Sequence, residues 1–248
     1  MIINTKRSIQ TLLMGVTTAV VVIATVTVGT AQADTTYKFV SMPDYWNADV
    51  GDVSGSPFYS AGMPNSINAS YQATDDYILS TARAEGATDM LVAGDFVEGH
   101  WGIDTDKTGV FGPVTTTAQK RAAVKLAGDT YYPQVMDRFT RNGFTLYPAL
   151  GDHEIGDNDW NVSKGGMEAF KYNNLSLYKQ TYSRHMMQTS PGVFRFPARP
   201  AGQATGTAYA VRLNPDVQLI SLDVFRKTTT GVVAEVDATQ LAWVEKIS

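Results

Sequence analysis

Short apolar runs alternate along this chain with longer stretches of helical spacing, and Gly, Pro or Asn separates most of them. Tyr37 to Met42 reads as an apolar strand closed by Pro43, which has no N–H to offer a further ladder. Thr74 can cap a following helix, whose Ile78, Leu79 and Ala82 lie at helical spacing before Gly86 ends it. Met90 to Val97 reads as the next strand. A polar, Gly-containing insertion from Gly99 to Thr117 follows, longer than most loops of compact domains and so mobile or functional. Val124, Leu126, Val135, Met136 and Phe139 mark a helix over about 118–142, with Pro133 as a kink or break and Gly143 as its stop. Phe144 to Leu150 is a third strand, and Met167 to Met187 reads as one helical segment. Val211–Leu213 and Val217–Leu222 pair across Asn214-Pro215-Asp216, the second ending at Asp223. Asp237 to Ile247 is an amphipathic helix with Leu241, Val244 and Ile247 on one face. Strands separated by helices build parallel sheets, so the pattern predicts an α/β fold.

The start of the chain has a different pattern. Lys6 and Arg7 precede an uncharged, Leu/Val/Ile-rich run from about Thr11 to Val28, and Ala31-Gln32-Ala33 follows before Asp34. A basic start, an apolar middle and a small-residue exit define a secretory signal peptide, here residues 1–33. The working domain is then 34–248, secreted or held in the periplasm or cell envelope. A retained N-terminal anchor is the competing reading, and contact with a membrane is expected only through that segment.

Removing Lys6 and Arg7, with no acid lost, takes the formal net charge from −4 to −6. A mild acidic excess without a basic stripe argues against a specific nucleic-acid surface. Cysteine is absent, so burial rather than disulfides must hold the fold even in an oxidising compartment. No Gly-x-Ser-x-Gly elbow, phosphate-cradling Gly-Lys loop or dinucleotide glycine fingerprint occurs, which lowers serine hydrolase, nucleoside triphosphatase and dehydrogenase readings.

Chemistry concentrates where the strands end. The second strand runs into Gly94-Asp95 and the third into Gly151-Asp152-His153-Glu154, while Asp44 follows the first. Open α/β sheets deliver such residues to the crevice beyond their strand tips. Carboxylates with one imidazole suit divalent metal ions and a phosphate better than a nucleophilic serine, because metal charge offsets carboxylate repulsion. Against this stands the plain reading that an Asp after a strand makes a turn or caps a helix.

Together these motifs resemble the calcineurin-like metallophosphoesterases of the secreted kind that includes purple acid phosphatase relatives. The likeness covers Tyr37 to the end, and Leu222-Asp223 with Gln240-Leu241-Ala242-Trp243 is similar to that family's downstream strand and helix. It implies an α/β/β/α arrangement, a β sandwich flanked by helices and incomplete at its C-terminal end. It also implies two divalent or trivalent metal ions, manganese, iron, zinc or calcium, acting on a small phosphorylated substrate. Asp44 would bind the first ion, Asp95 would bridge both, Asp152 would bind the second, and His153 would protonate the leaving alkoxide or steady the phosphoryl oxygens. Glu154 would orient His153 or cap a turn.

The chain departs from that pattern in three places. Asp152 stands where the family has asparagine. Trp46 stands where it has a histidine, with Asn47, Asp49 or His100 as candidate replacements. The chain ends before the family's remaining histidine motifs, which implies a truncated enzyme. A second expectation therefore belongs beside the phosphoesterase: a non-catalytic secreted domain of the same fold that binds a ligand or envelope partner through aromatic loops around Tyr45-Trp46 and Trp160. Asp157-Asn158-Asp159 is a weak calcium candidate, and His185 reads as a solvated or packing residue.

Overall fold

The computed structural model describes residues 2–5 and 22–23 as backbone, and residues 37–45 and 47–248 with their side chains. Apart from those two short stretches, the segment expected to be a signal peptide lies outside the described residues, as does Trp46. Among the described residues, no helix is long and apolar enough to cross a membrane.

The fold is mixed α/β, with its main sheet ordered β2-β3-β4-β5. Strands β3 (Phe39–Met42), β4 (Asp89–Val92) and β5 (Thr145–Pro148) run parallel, and the two-residue β2 (Val22–Ile23) pairs antiparallel with β3. Register sets the site: Met42 pairs with Val92, and Val92 with Pro148, so the three strands end abreast. Asp44, Asp95 and Asp152 follow those ends by two, three and four residues. Helices α1 (Ala69–Ala84) and α2 (Thr117–Arg141) connect the strands, as the apolar spacing predicts. A smaller antiparallel sheet, ordered β1-β9-β8, joins β1 (Ile2–Thr5), β8 (Tyr209–Asn214) and β9 (Val217–Ser221).

The main core runs from Phe39, Leu91 and Val92 through Leu79, Val124 and Phe139 to Tyr182, Tyr209 and Leu219. Successive β9 residues alternate between faces: Leu219 enters this core, whereas Ile220 joins Ala210 and Leu222 beneath α5 (Ala238–Ile247).

Several sequence expectations need correction. Asn68, not Thr74, caps α1, accepting from Ser70 N and Tyr71 N, while Thr74 sits inside the helix and donates to the Ser70 carbonyl. The strand expected to reach Val97 stops at Val92. Pro133 neither breaks α2 nor divides it: Val124, Ala127, Tyr131 and Tyr132 are buried before it and Val135 and Phe139 after it. Anchoring on both sides outweighs the ~3 kcal/mol that an internal proline costs. The segment expected as one helix over 167–187 divides at Asn174 into α3 (Gly166–Asn173) and α4 (Leu175–Tyr182), followed by a π turn over Ser183–Met187. Asn174 stops α3 by donating its amide to the Phe170 carbonyl, and Arg121 donates to Asn174 Oδ1.

In α5, Leu241 is 52% exposed, contrary to its expected place on the buried face, and Gln240 turns inward instead. The Gln240 amide sets that rotation. Its Oε1 accepts from Asp223 N at 3.0 Å and its Nε2 donates to the Asp223 carbonyl at 2.7 Å.

Candidate metal centre

Two glycines let the strand tips meet. Gly94 has φ 102, and a Cβ there would collide with the backbone of Gly151, so the β4 and β5 tips touch through residues without side chains. On the other flank, Tyr45 N donates to the Gly94 carbonyl at 3.2 Å and Asn47 N to the Asp95 carbonyl at 3.1 Å. Tyr45 is buried, packs on Phe96 and Phe139, and contacts the buried Asp75–Arg138 ion pair. It thereby fixes the corner that carries the exposed Asp44.

Glu154, fully buried, holds the two Gly-Asp tips together. Its Oε2 accepts from Asp95 N at 2.9 Å and Gly151 N at 2.8 Å, and its Oε1 accepts from Phe96 N at 2.8 Å. Orienting His153, one expectation for Glu154, falls instead to the Glu98 carbonyl, 2.7 Å from His153 Nδ1. A carbonyl only accepts, so Nδ1 carries a proton and Nε2 remains for a ligand or for proton transfer. Gly99 permits that approach, because a Cβ there would overlap the His153 carbonyl.

The result is a cluster of ligand atoms. Asp95, Asp152 and His153 each offer one, all within 4.8 Å of one another. Asp44 is near enough to bear on the protonation of the Asp95 carboxyl without joining that group, and His153 N approaches Asp95 Oδ1 at 3.5 Å. Of the four residues that the sequence singled out at strand tips, Asp95, Asp152 and His153 thus form one group of ligand atoms, and the exposed Asp44 stands beside it. Asp95 sits at φ 57, a left-handed turn position that aspartate tolerates, while Asp152 makes no side-chain cap to the turn it precedes and so keeps its carboxyl for other partners.

Electrostatics favour a cation here. Burial, then repulsion from Glu154 and Asp152, raises the Asp95 carboxyl well above the usual range, with His153 opposing. Burial opposes the His153 imidazolium, but its bond to the Glu98 carbonyl and the carboxylates of Asp95, Asp157 and Asp152 outweigh that and raise its pKa. Clustered oxygens that resist ionising together, with one imidazole beside them, are a donor set that fits a divalent ion.

Two of the candidate replacement ligands, Asp49 and His100, have their side chains engaged by other partners. Asp49 accepts from Glu98 N at 3.0 Å and from the Trp101 indole at 3.0 Å, and burial pushes it up to about 6. His100 lies between Glu98 Oε1 and Asp157 Oδ2, each at 2.9 Å, with its ring centroid 6.1 Å from that of His153. Asn47 contributes its backbone N–H. Nor do Asp157, Asn158 and Asp159 converge on a calcium ion. Asp157 faces His100, Asn158 donates to Asp152 Oδ2 at 2.9 Å, and Asp159 pairs with Lys164. Trp160 is buried, donating to the Ile155 carbonyl, and His185 pairs with Asp129 at 2.7 Å.

One contributor escaped the sequence reading, and another was read in a different role. Asp157, read as a weak calcium candidate, stands 4.0 Å from His153 Nε2, and buried Lys171, unforeseen, donates to the Asp157 carbonyl at 2.8 Å, pinning that loop. Lys171 lies within a helical pattern, where nothing distinguishes it from a surface lysine. Comparison with family models, with curated proteins and with solved structures finds no match to this chain.

Proposed function

We propose that this protein is a metal-dependent phosphoesterase, with a metallophosphoesterase-type β sandwich and a site for two ions. The observation that carries the reading is the meeting of Asp95, Asp152 and His153, with Asp44 beside them, at three parallel strand tips. Asp44 and Asp95 are the carboxylates for one ion, and Asp95 and Asp152 those for the other. Bound ions would supply charge for the phosphoryl oxygens and a water acidic enough to attack near neutral pH. His153 presents Nε2, held by its Nδ1 bond to the Glu98 carbonyl, to protonate the departing alkoxide. Glu154 keeps the Asp95 and Asp152 loops in register by gripping their backbone N–H groups.

A second reading rests on the shortage of imidazoles. Among the described histidines, His100 and His185 are tied to carboxylates, leaving His153 alone for the cluster. A domain of this fold that binds a ligand without catalysis is consistent with that.

Hydrolysis of p-nitrophenyl phosphate and bis-p-nitrophenyl phosphate, with manganese, zinc or iron supplied, separates the two. The phosphoesterase reading predicts metal-dependent turnover, lost together with metal in Asp95→Asn. In His153→Ala it predicts a ~100-fold or greater fall in turnover measured at saturating metal. A metal-loaded wild-type chain that cleaves neither ester leaves the binding-domain reading in its place.

A further inference from the structure

A pocket of about 570 Å³ opens on a different face of α4 from the metal centre. Tyr178 turns toward the centre, donating to the Trp101 carbonyl at 3.0 Å, whereas Leu175, Ser176, Lys179 and Gln180 line the pocket. Its volume lies in the range of small-molecule sites, roughly 300–1,000 Å³. Phe194 and Leu175 supply apolar surface, and Gln203, Thr205 and Thr207 add amide and hydroxyl groups.

Charge identifies the occupant. No Asp or Glu lines this pocket, although the chain as a whole carries net charge −4. Of its two lysines, Lys179 is neutralised by Asp223 at 2.5 Å, but Lys227 has no carboxylate partner among the described residues. The Lys227 ammonium lies 4.2 Å from the centre of the Tyr172 ring. Behind the wall, Arg199 stacks on Phe194 at 3.4 Å and donates to the Thr205 carbonyl, and it too has no carboxylate partner among the described residues. One lysine on the pocket wall and one arginine behind it thus lack a carboxylate among the described residues.

We infer that this pocket is a second binding site, independent of the metal centre, for a small organic anion whose apolar body packs on Leu175 and Phe194 while its charged head meets Lys227. Two fluorescent probes of similar shape test it on the full chain: 1-anilinonaphthalene-8-sulfonate, which carries a sulfonate, and uncharged N-phenyl-1-naphthylamine. The sulfonate should bind at one site per chain. Lys227→Glu should weaken it about tenfold or more, the scale of one lost charge-assisted contact, and leave the uncharged probe unchanged. Ser176→Trp, which fills the pocket, should displace both probes, with Gln180→Trp as the alternative if the first variant fails to fold by circular dichroism. Asp95→Asn should bind both as wild type does, so that failure of the phosphoesterase reading leaves this result standing. Sulfonate binding that ignores Lys227→Glu and the filled pocket, or that spreads over many sites, overturns the inference.

Discussion

Asp95 and Asp223 are both acidic residues just beyond a strand, and their surroundings are opposite. Asp223 is 2% exposed and fully served by the protein: Lys179 Nζ and Thr207 Oγ1 each reach Oδ2 at 2.5 Å, and Phe225 N donates to Oδ1 at 2.9 Å. Asp95 is 7% exposed and meets the carboxyls of Asp44, Asp152 and Glu154, with His153 the one group that lowers its pKa among the main influences. One acid has its counter-charge built in. The other has a place for it. A strand-tip aspartate therefore carries functional meaning only once its neighbours are known.

The largest effect should come from breaking the satisfied site. Lys179→Met leaves Asp223 buried without its cation and should cost ~3–5 kcal/mol in urea unfolding, with no change in metal stoichiometry. A loss under 1 kcal/mol would mean that Asp223 draws its stability from Thr207 and the backbone instead.

The contrast sharpens with pH. Burial pushes Glu154 up to about 7 in spite of its three N–H donors, and Asp95 is raised as well. Between the ordinary carboxylate range and about 7, the folded protein then holds more protons than the unfolded chain, so stability falls as pH rises through that window. In the presence of a chelator, Glu154 alone should contribute roughly 3 kcal/mol of loss between pH 4 and pH 8. Adding manganese at pH 8 should restore the melting temperature. A chelated protein that gains stability over the same interval contradicts the crowded-carboxyl picture.

Glu154→Gln tests the clamp more gently. A glutamine oxygen replaces two carboxylate oxygens that serve three N–H groups, which costs about 2 kcal/mol, but glutamine also removes the cost of ionising Glu154 at pH 8, so net stability there should change little and the pH slope should flatten. Smallest of all, Leu241→Lys should shift stability by no more than ~0.5 kcal/mol, because Leu241 faces water and Gln240 holds the buried position.

How legible these features were depends on the range of the interaction. Gly94-Asp95 and Gly151-Asp152-His153 could be found locally, because apolar runs ending in Gly-Asp announce parallel strand tips, and register then brings them abreast. The hairpin at Asn214-Pro215-Asp216 and the stops at Gly86 and Gly143 were legible for the same reason. Long-range pairings left no local mark. Lys179 and Asp223 lie 44 residues apart, and Asp49 meets Trp101 across 52. Glu154 read as a partner for His153 because it is adjacent in sequence, yet its carboxylate turns to the Asp95 loop, 59 residues away. Leu241 misled for a related reason. Helical spacing alone cannot say which face docks, and the two Gln240 bonds to the Asp223 backbone decide it.

The most direct test of the metal centre is calorimetric titration of manganese into the chelator-stripped protein, wild type against Asp95→Asn. The account predicts at least one ion bound per wild-type chain. In the variant it predicts affinity lower by more than the ~10–100-fold that loss of an outer-shell contact costs, with the apo fold at least as stable as wild type once one crowded carboxyl is gone. Equal manganese binding by the two proteins, or none by either, would contradict it.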